Sequence, residues 1–306
     1  MNRIVDAAAR GDTKAIRKLL SNGTMVDEKD ENDNTALMHA AYNGRVEAVR
    51  LLVAHGAMVN ITDKNNQTAL HFAALNGHKE VVKILIEEGA DINVKESSYD
   101  QTALFLATKN GHEEIVFLLL NAKGIQVEKP GATPLIAAAN KGYTRIAKAL
   151  LGKGADVNAV DAYGKSALMH AANQGQGDMV KLLLENGANV AMQDSRGLDP
   201  ATLATMGGHD ELARLLRNRK DASRARADDA NTVYVSRKQE QEKNPSLRTR
   251  THYYKQSPTS CCGNCYRFFI GLNGIDGYCS NPAAPSSPMK VDPDSKCGNW
   301  QRRKNW

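Results

Sequence analysis

At 306 residues, 42% hydrophobic and 24% charged, the chain has the composition of a soluble protein and room for one large domain or two smaller ones. No apolar run approaches the ~20 residues that a membrane-spanning helix needs, and with aromatics at 5% the core must be built from Ala, Leu, Ile and Val. The net charge of +6 hides an asymmetry: residues 1–213 carry 22 Lys and Arg against 26 Asp and Glu, a net −4, and residues 214–306 carry 18 against 8, a net +10.

The chain opens MNRIVDAAARGDTKAIRKLL. This stretch has no apolar h-region and is interrupted by Asp6 and Asp12, so it does not read as a secretory signal. The expectation is a cytoplasmic protein in a reducing compartment, where lasting disulfides are rare.

One phrase then recurs: TALMHAA from Thr35, TALHFAA from Thr68, TALFLAT from Thr102, TPLIAAA from Thr133, SALMHAA from Ser166 and a degenerate DPATLAT from Asp199. The offsets are 33, 34, 31, 33 and 33 residues. Each copy is followed by a glycine turn, such as Asn43-Gly44 or Asn76-Gly77, then by an apolar stripe at helical spacing and a second glycine. The leading Thr or Ser suits an N-cap, and the second glycines (Gly56, Gly89, Gly154, Gly187) suit left-handed helix ends. Lys123 stands where the other units have that glycine, the next loop is two residues short, and VKESSYDQ before it has one residue extra. The third and fourth turns should therefore differ in shape from the rest.

This pattern resembles the ankyrin repeat, a ~33-residue unit of one turn and two antiparallel helices. The resemblance covers residues 1–217: about six repeats and an N-terminal partial one. It implies a mainly α chain, an ankyrin-repeat solenoid, in which stacking supplies the stability that no single unit has. In that family the inner surface of the stack and the turn tips bind proteins. The implied contact positions are Asp63, Lys64, Asn65, Tyr99, Tyr163 and Arg196 at the tips, and Tyr42, Leu75, Lys109, Lys141 and Gln174 along the inner helices. Tyr and Arg are the residues that most often anchor interfaces. The histidines of the array lack a cysteine or acid at ligand spacing and read as structural, with His71 placed to tie one turn to the next.

Residues 218–259 are polar, mixed in charge and almost free of apolar runs, as expected of a flexible basic linker. The weaker alternative for the basic residues is contact with nucleic acid or another acidic partner.

All five cysteines lie beyond residue 260, beginning CCGNCYRFF at Cys261. Cys262-x2-Cys265-x13-Cys279-x17-Cys297 offers four thiolates, with Cys261 to spare. Disulfides need an oxidising compartment and prefer an even count. Zinc accepts four cysteines, but its common ribbons use two Cys-x2-Cys knuckles where this chain has one. An iron–sulfur cluster also takes four. CGNCYRFF, GYCSNP and VDPDSKCGNW resemble the small cysteine-rich modules, related to high-potential iron–sulfur proteins, found as small subunits of glycyl-radical enzymes of the benzylsuccinate synthase type. That resemblance implies a bacterial protein whose residues 260–306 form a metal module. There Cys262, Cys265, Cys279 and Cys297 hold a [4Fe–4S] cluster, with zinc as the alternative and Cys261 without a counterpart. No activated nucleophile or phosphate-binding loop is present, so the expectation is a binding protein with no enzyme activity: a protein-interaction scaffold carrying a structural, redox-sensing or electron-transferring centre.

Overall fold

The computed structural model describes residues 3–127 and 133–221, and the backbone of 268–270 and 277–279. The chain divides between Ser223 and Arg224, and the two sides are taken separately.

The first side is a run of helix pairs: α1 (Arg3–Arg10) with α2 (Thr13–Ser21), α3 (Ala36–Tyr42) with α4 (Val46–Ala54), α5 (Ala69–Leu75) with α6 (Lys79–Glu87), α7 (Ala103–Lys109) with α8 (Glu113–Asn121), α9 (Pro134–Lys141) with α10 (Thr144–Gly152), α11 (Ala167–Asn173) with α12 (Gly177–Glu185), and α13 (Pro200–Met206) with a helical segment at 210–221. The helix starts lie where the repeated phrase puts them. Thr35, Thr102 and Ser166 accept the backbone N–H three residues on at 3.4, 3.3 and 3.4 Å, satisfying a donor that the helix cannot. Thr133 is the exception: Pro134 opens α9, and its buried hydroxyl has no partner among the described residues. Residues 128–132, which precede it, lie outside the described residues.

Alanines decide the shape. Ala40, Ala41, Ala73, Ala74, Ala107, Ala138, Ala139, Ala171 and Ala172 of the first helices have no exposed surface. The corresponding row of the second helices is larger: Val49, Leu52, Val82, Leu85, Val116, Leu119 and Leu150. Small residues let the first helices approach one another more closely than the second helices do. The stack therefore bends with the first helices on its inner face and the second on its outer face.

Two irregular places differ from the simple repeat. Gly89 ends α6 at φ +81°, one residue after its cap. After α8 the cap Ala122 is extended and Gly124 supplies the left-handed turn at φ +83°, so the glycine function moves past Lys123 and is kept. At the other end, the last segment is still helical at residue 221, and Lys220 Nζ ties it to Asp199 Oδ2 at 2.5 Å.

On the second side, β1 (Phe268–Ile270) pairs antiparallel with β2 (Gly277–Cys279), in the register Phe268 to Cys279 and Ile270 to Gly277. The rest of the expected linker and metal module, including Cys262, Cys265 and Cys297, lies outside the described residues.

Candidate protein-interaction surface

The turn tips are built around an acid that stands five residues before the capping residue, Thr35, Thr68, Ser166 or Asp199. Asp30, Asp63, Asp161 and Asp194 each accept two backbone N–H groups of their own turn, at 2.7 to 2.9 Å. The residue three further on turns back with positive φ: Asp33, Asn66, Gly164 and Gly197. In the third unit the turn is one residue longer and the acid is Glu96. Its carboxylate, one methylene longer, reaches Ser98, Tyr99 and Gln101 N–H at 2.7, 2.6 and 3.2 Å. The extra residue noted in the sequence is thus absorbed by a longer acid. Neighbouring tips are joined through the backbone: Lys64 N–H to Asn32 O at 3.2 Å, Ser97 N–H to Asn65 O at 2.8 Å and Ser195 N–H to Tyr163 O at 3.0 Å.

Electrostatics follow from these bonds. Burial works against ionisation of Asp30, Glu96 and Asp161. It is outweighed at Asp30 by His39 and the Asn34 and Asn32 N–H groups, at Glu96 by the Ser98, Gln101 and Tyr99 N–H groups, and at Asp161 by His170 and the Lys165 and Tyr163 N–H groups. All three carboxyls are held below their ordinary values. Asp194 is lowered chiefly by the Leu198 N–H, with Arg196 adding to it.

The histidines are structural in three ways. His39 and His170 donate from Nε2 to Asp30 and Asp161 at 2.9 and 2.8 Å, bracing two tips. His71 is buried: its Nδ1 accepts from Thr68 N–H at 3.2 Å and its Nε2 donates to Val94 O of the next turn at 3.0 Å. Burial lowers its pKa, in keeping with a ring that accepts through one nitrogen and stays neutral. His78 and His112 lie over the helix-turn glycines of the preceding unit and donate to Tyr42 O and Leu75 O at 2.9 and 3.1 Å.

On this frame the expected contact residues fall into two rows. Lys64, Asn65, Tyr99, Tyr163 and Arg196 are exposed at the tips, Tyr99 by 73% and Tyr163 by 70%. Tyr42, Lys109, Lys141 and Gln174 are exposed on the inner helices, and Leu75 is half-buried. Asp63 is a correction: it is only 8% exposed, and its carboxylate faces the turn it closes. It holds the tip and has little surface to offer a partner. Phe72 was not foreseen; it meets Tyr42 edge-on, with centroids 6.0 Å apart. The constant spacing of acid and cap was the signal that would have found the tip acids. Among the described residues, no group of three or more His, Cys, Asp and Glu is placed to hold a metal ion, and no helix is long and apolar enough to cross a membrane.

The comparisons agree with this geometry. No curated protein matches the chain in sequence. The ankyrin repeat domain of human ASB11 is 26% identical, with a TM-score of 0.64 over 71% of this chain and 98% of that one. The ankyrin repeat domain of Bcl-3, a member of the IkappaB family, is also 26% identical, with a TM-score of 0.60 over 70% and 98%. The family model for ankyrin repeats (three copies) matches residues 4–96, 94–161 and 158–228. The chain belongs to the ankyrin-repeat family, whose stacked repeats are scaffolds for protein–protein interaction.

Proposed function

We propose that this protein grips a partner protein on the tips and inner face of its array and carries a metal centre, a [4Fe–4S] cluster, in its cysteine tail. The observation that supports the first half is the pinning of the tips. Buried acids and backbone bonds between turns hold Tyr99, Tyr163 and Arg196 outward on a rigid frame, so little conformational entropy is lost when a partner docks.

The tail reading rests on the donor set. Cys262, Cys265, Cys279 and Cys297 supply the four thiolates that a [4Fe–4S] cluster takes, in a chain whose first 260 residues have no cysteine. The backbone pairing of Cys279 with Phe268 is in keeping with this, since Cys265 precedes Phe268 by only three residues, ~11 Å of chain at most. When bound, such a cluster supplies one-electron exchange at a potential that its surroundings set. The chain's own part is to provide the thiolates and a staple for a segment too short to fold on core burial alone. The alternative, a structural zinc, takes the same four donors.

Anaerobic purification with iron, sulfide and zinc analysis tests the tail. Iron and sulfide with visible charge-transfer absorption, both lost in Cys265→Ser with the helical circular dichroism unchanged, support the cluster. Stoichiometric zinc supports the alternative, and absence of both metals overturns the module. For the array, retention of a partner must fall in Tyr99→Ala/Tyr163→Ala. Equal retention by wild type and variant removes these residues from the interface.

A further inference from the structure

Of the inner helices, α1 carries Asp6, but the six that follow, α3, α5, α7, α9, α11 and α13, contain no aspartate or glutamate, although the array as a whole is net acidic. The acids lie on the outer helices (Glu80 and Glu87, Glu113 and Glu114, Asp178 and Glu185) and at the tips. Leaving histidine aside, the only charged residues in these six helices are Lys109, which ends α7, and Lys141, which ends α9. Both are exposed, and among the described residues neither forms an ion pair. Three lysines outside these helices do: Lys79 with Glu114, Lys95 with Asp100 and Lys220 with Asp199.

The two units before the lysines are apolar on the same row. Tyr42 and Leu75 occupy equivalent positions in consecutive repeats, and Tyr42 leans edge-on against Phe72. Lys109 takes the equivalent position in the next repeat; in α9 that position is Asn140, Lys141 follows one residue later, and the row is neutral again at Asn173. The inner face thus runs from an apolar patch to an isolated pair of ammonium groups.

We infer that this face takes an extended, acidic segment of a partner protein, with an apolar side chain seated on Tyr42, Phe72 and Leu75 and carboxylates on Lys109 and Lys141. The inference rests on the reading of the array as a protein-binding frame and gives the partner its chemistry. No Asp or Glu of these six helices offsets the two lysines, so an occupant that brings the complementary charge is favoured there. The protein's own C-terminal part does not supply it, because residues 214–306 carry a net +10 and share the sign of the lysine pair. Spacing follows from packing. Neighbouring inner helices lie ~9 Å apart, and an extended chain advances ~3.3 Å per residue. The acids should therefore follow the anchor over Leu75 by about three and about six residues.

The test is a selection of displayed random peptides of about 12 residues, long enough to span four repeats, on the full chain and on three variants, K109E/K141E, Y42S/L75S and Tyr99→Ala/Tyr163→Ala. Wild type should enrich Asp and Glu about three and six positions from a Leu or aromatic anchor. K109E/K141E should lose that acidic enrichment, keep the anchor, and bind a wild-type-selected peptide about tenfold more weakly at low salt, with the deficit shrinking near 1 M salt. Y42S/L75S should lose the anchor and keep the acids. Thermal melts of all three variants must match wild type, and the separate changes K109E and K141E replace the pair if they do not. A wild-type pool without acidic enrichment, or identical pools from wild type and K109E/K141E, overturns the inference. So does a single-stranded oligonucleotide whose binding K109E/K141E abolishes while peptides show no acidic preference, since the lysines would then serve phosphate. A pool lost only in Tyr99→Ala/Tyr163→Ala keeps the array as a protein-binding frame and removes the inner face. No enrichment of any kind fails both.

Discussion

The carboxylate of Glu96 accepts the backbone N–H of Tyr99 at 2.6 Å, so an aromatic ring that is 73% exposed hangs from an acid that is 6% exposed. The same carboxylate closes the turn through Ser98 and Gln101. Glu96→Asp withdraws it by one methylene from a turn that has one residue too many for aspartate. The expected loss is about 1 to 2 kcal/mol of stability, read as a lower urea midpoint, with weaker partner retention because Tyr99 is no longer fixed. An unchanged midpoint would show that the turn closes without the longer arm.

Gly44 combines a φ of +64° with a crowded site: a Cβ there would lie 2.5 Å from His78 Nδ1. Gly56 has φ +85° and open space around it. Gly56→Ala should therefore cost only the left-handed backbone penalty of roughly 1 to 2 kcal/mol. Gly44→Ala should cost clearly more, since His78 must move and give up its bond to Tyr42 O. Adding His78→Ala to Gly44→Ala should recover the steric part. Equal melting temperatures for the two single variants would contradict the clash.

His71 is neutral in the folded array and titrates below its ordinary value because it is buried. Unfolding lets it take up a proton near pH 6.5, so the contribution is full above that pH and is lost as pH falls through it towards the lower folded value. His71→Gln should flatten the stability profile below pH 6.5. It should also cost about 1 kcal/mol at neutral pH, since Gln can accept the Thr68 N–H but leaves the Val94 carbonyl unmet. Parallel profiles for wild type and variant would refute the assignment.

Asp199 caps α13 through Thr202 and pairs with Lys220, and its pKa is lowered to about 2. Burial works against this, and the Lys220 and Thr202 bonds outweigh it. The carboxyl holds its proton less tightly folded than unfolded. Its contribution is therefore complete above pH 3.8 and disappears as pH drops towards about 2. Lys220→Ala should remove about 1 to 2 kcal/mol from the terminal unit at neutral pH, with fraying of residues 210–221 visible by hydrogen exchange. Unchanged protection of that segment would mean the ion pair does not hold it.

Much of this is local and could be read directly. The recurrence of Thr-Ala-Leu and the glycine at fixed distance give the unit, its helix starts and the number of units, because caps and helical periodicity depend on residues within about five positions of each other. His71 was likewise recognisable by its place in the phrase. Asp63 was misjudged for a physical reason: a polar residue at a turn looks exposed in sequence, and only the folded turn shows which acid points inward to its own N–H groups. The turn-closing role of Glu96 was equally hidden behind what looked like an insertion.

The sequence by itself determined the repeat, its caps and its left-handed turns, and confined every cysteine to the tail. Only the tertiary structure decided which residues share a surface. The bonds of His78 to Tyr42 and of His71 to Val94, and the gathering of Tyr42, Leu75 and Lys109 on one inner row, join positions more than 20 residues apart. Such contacts exist only once the small alanine faces have drawn the inner helices together and set the direction in which the stack bends.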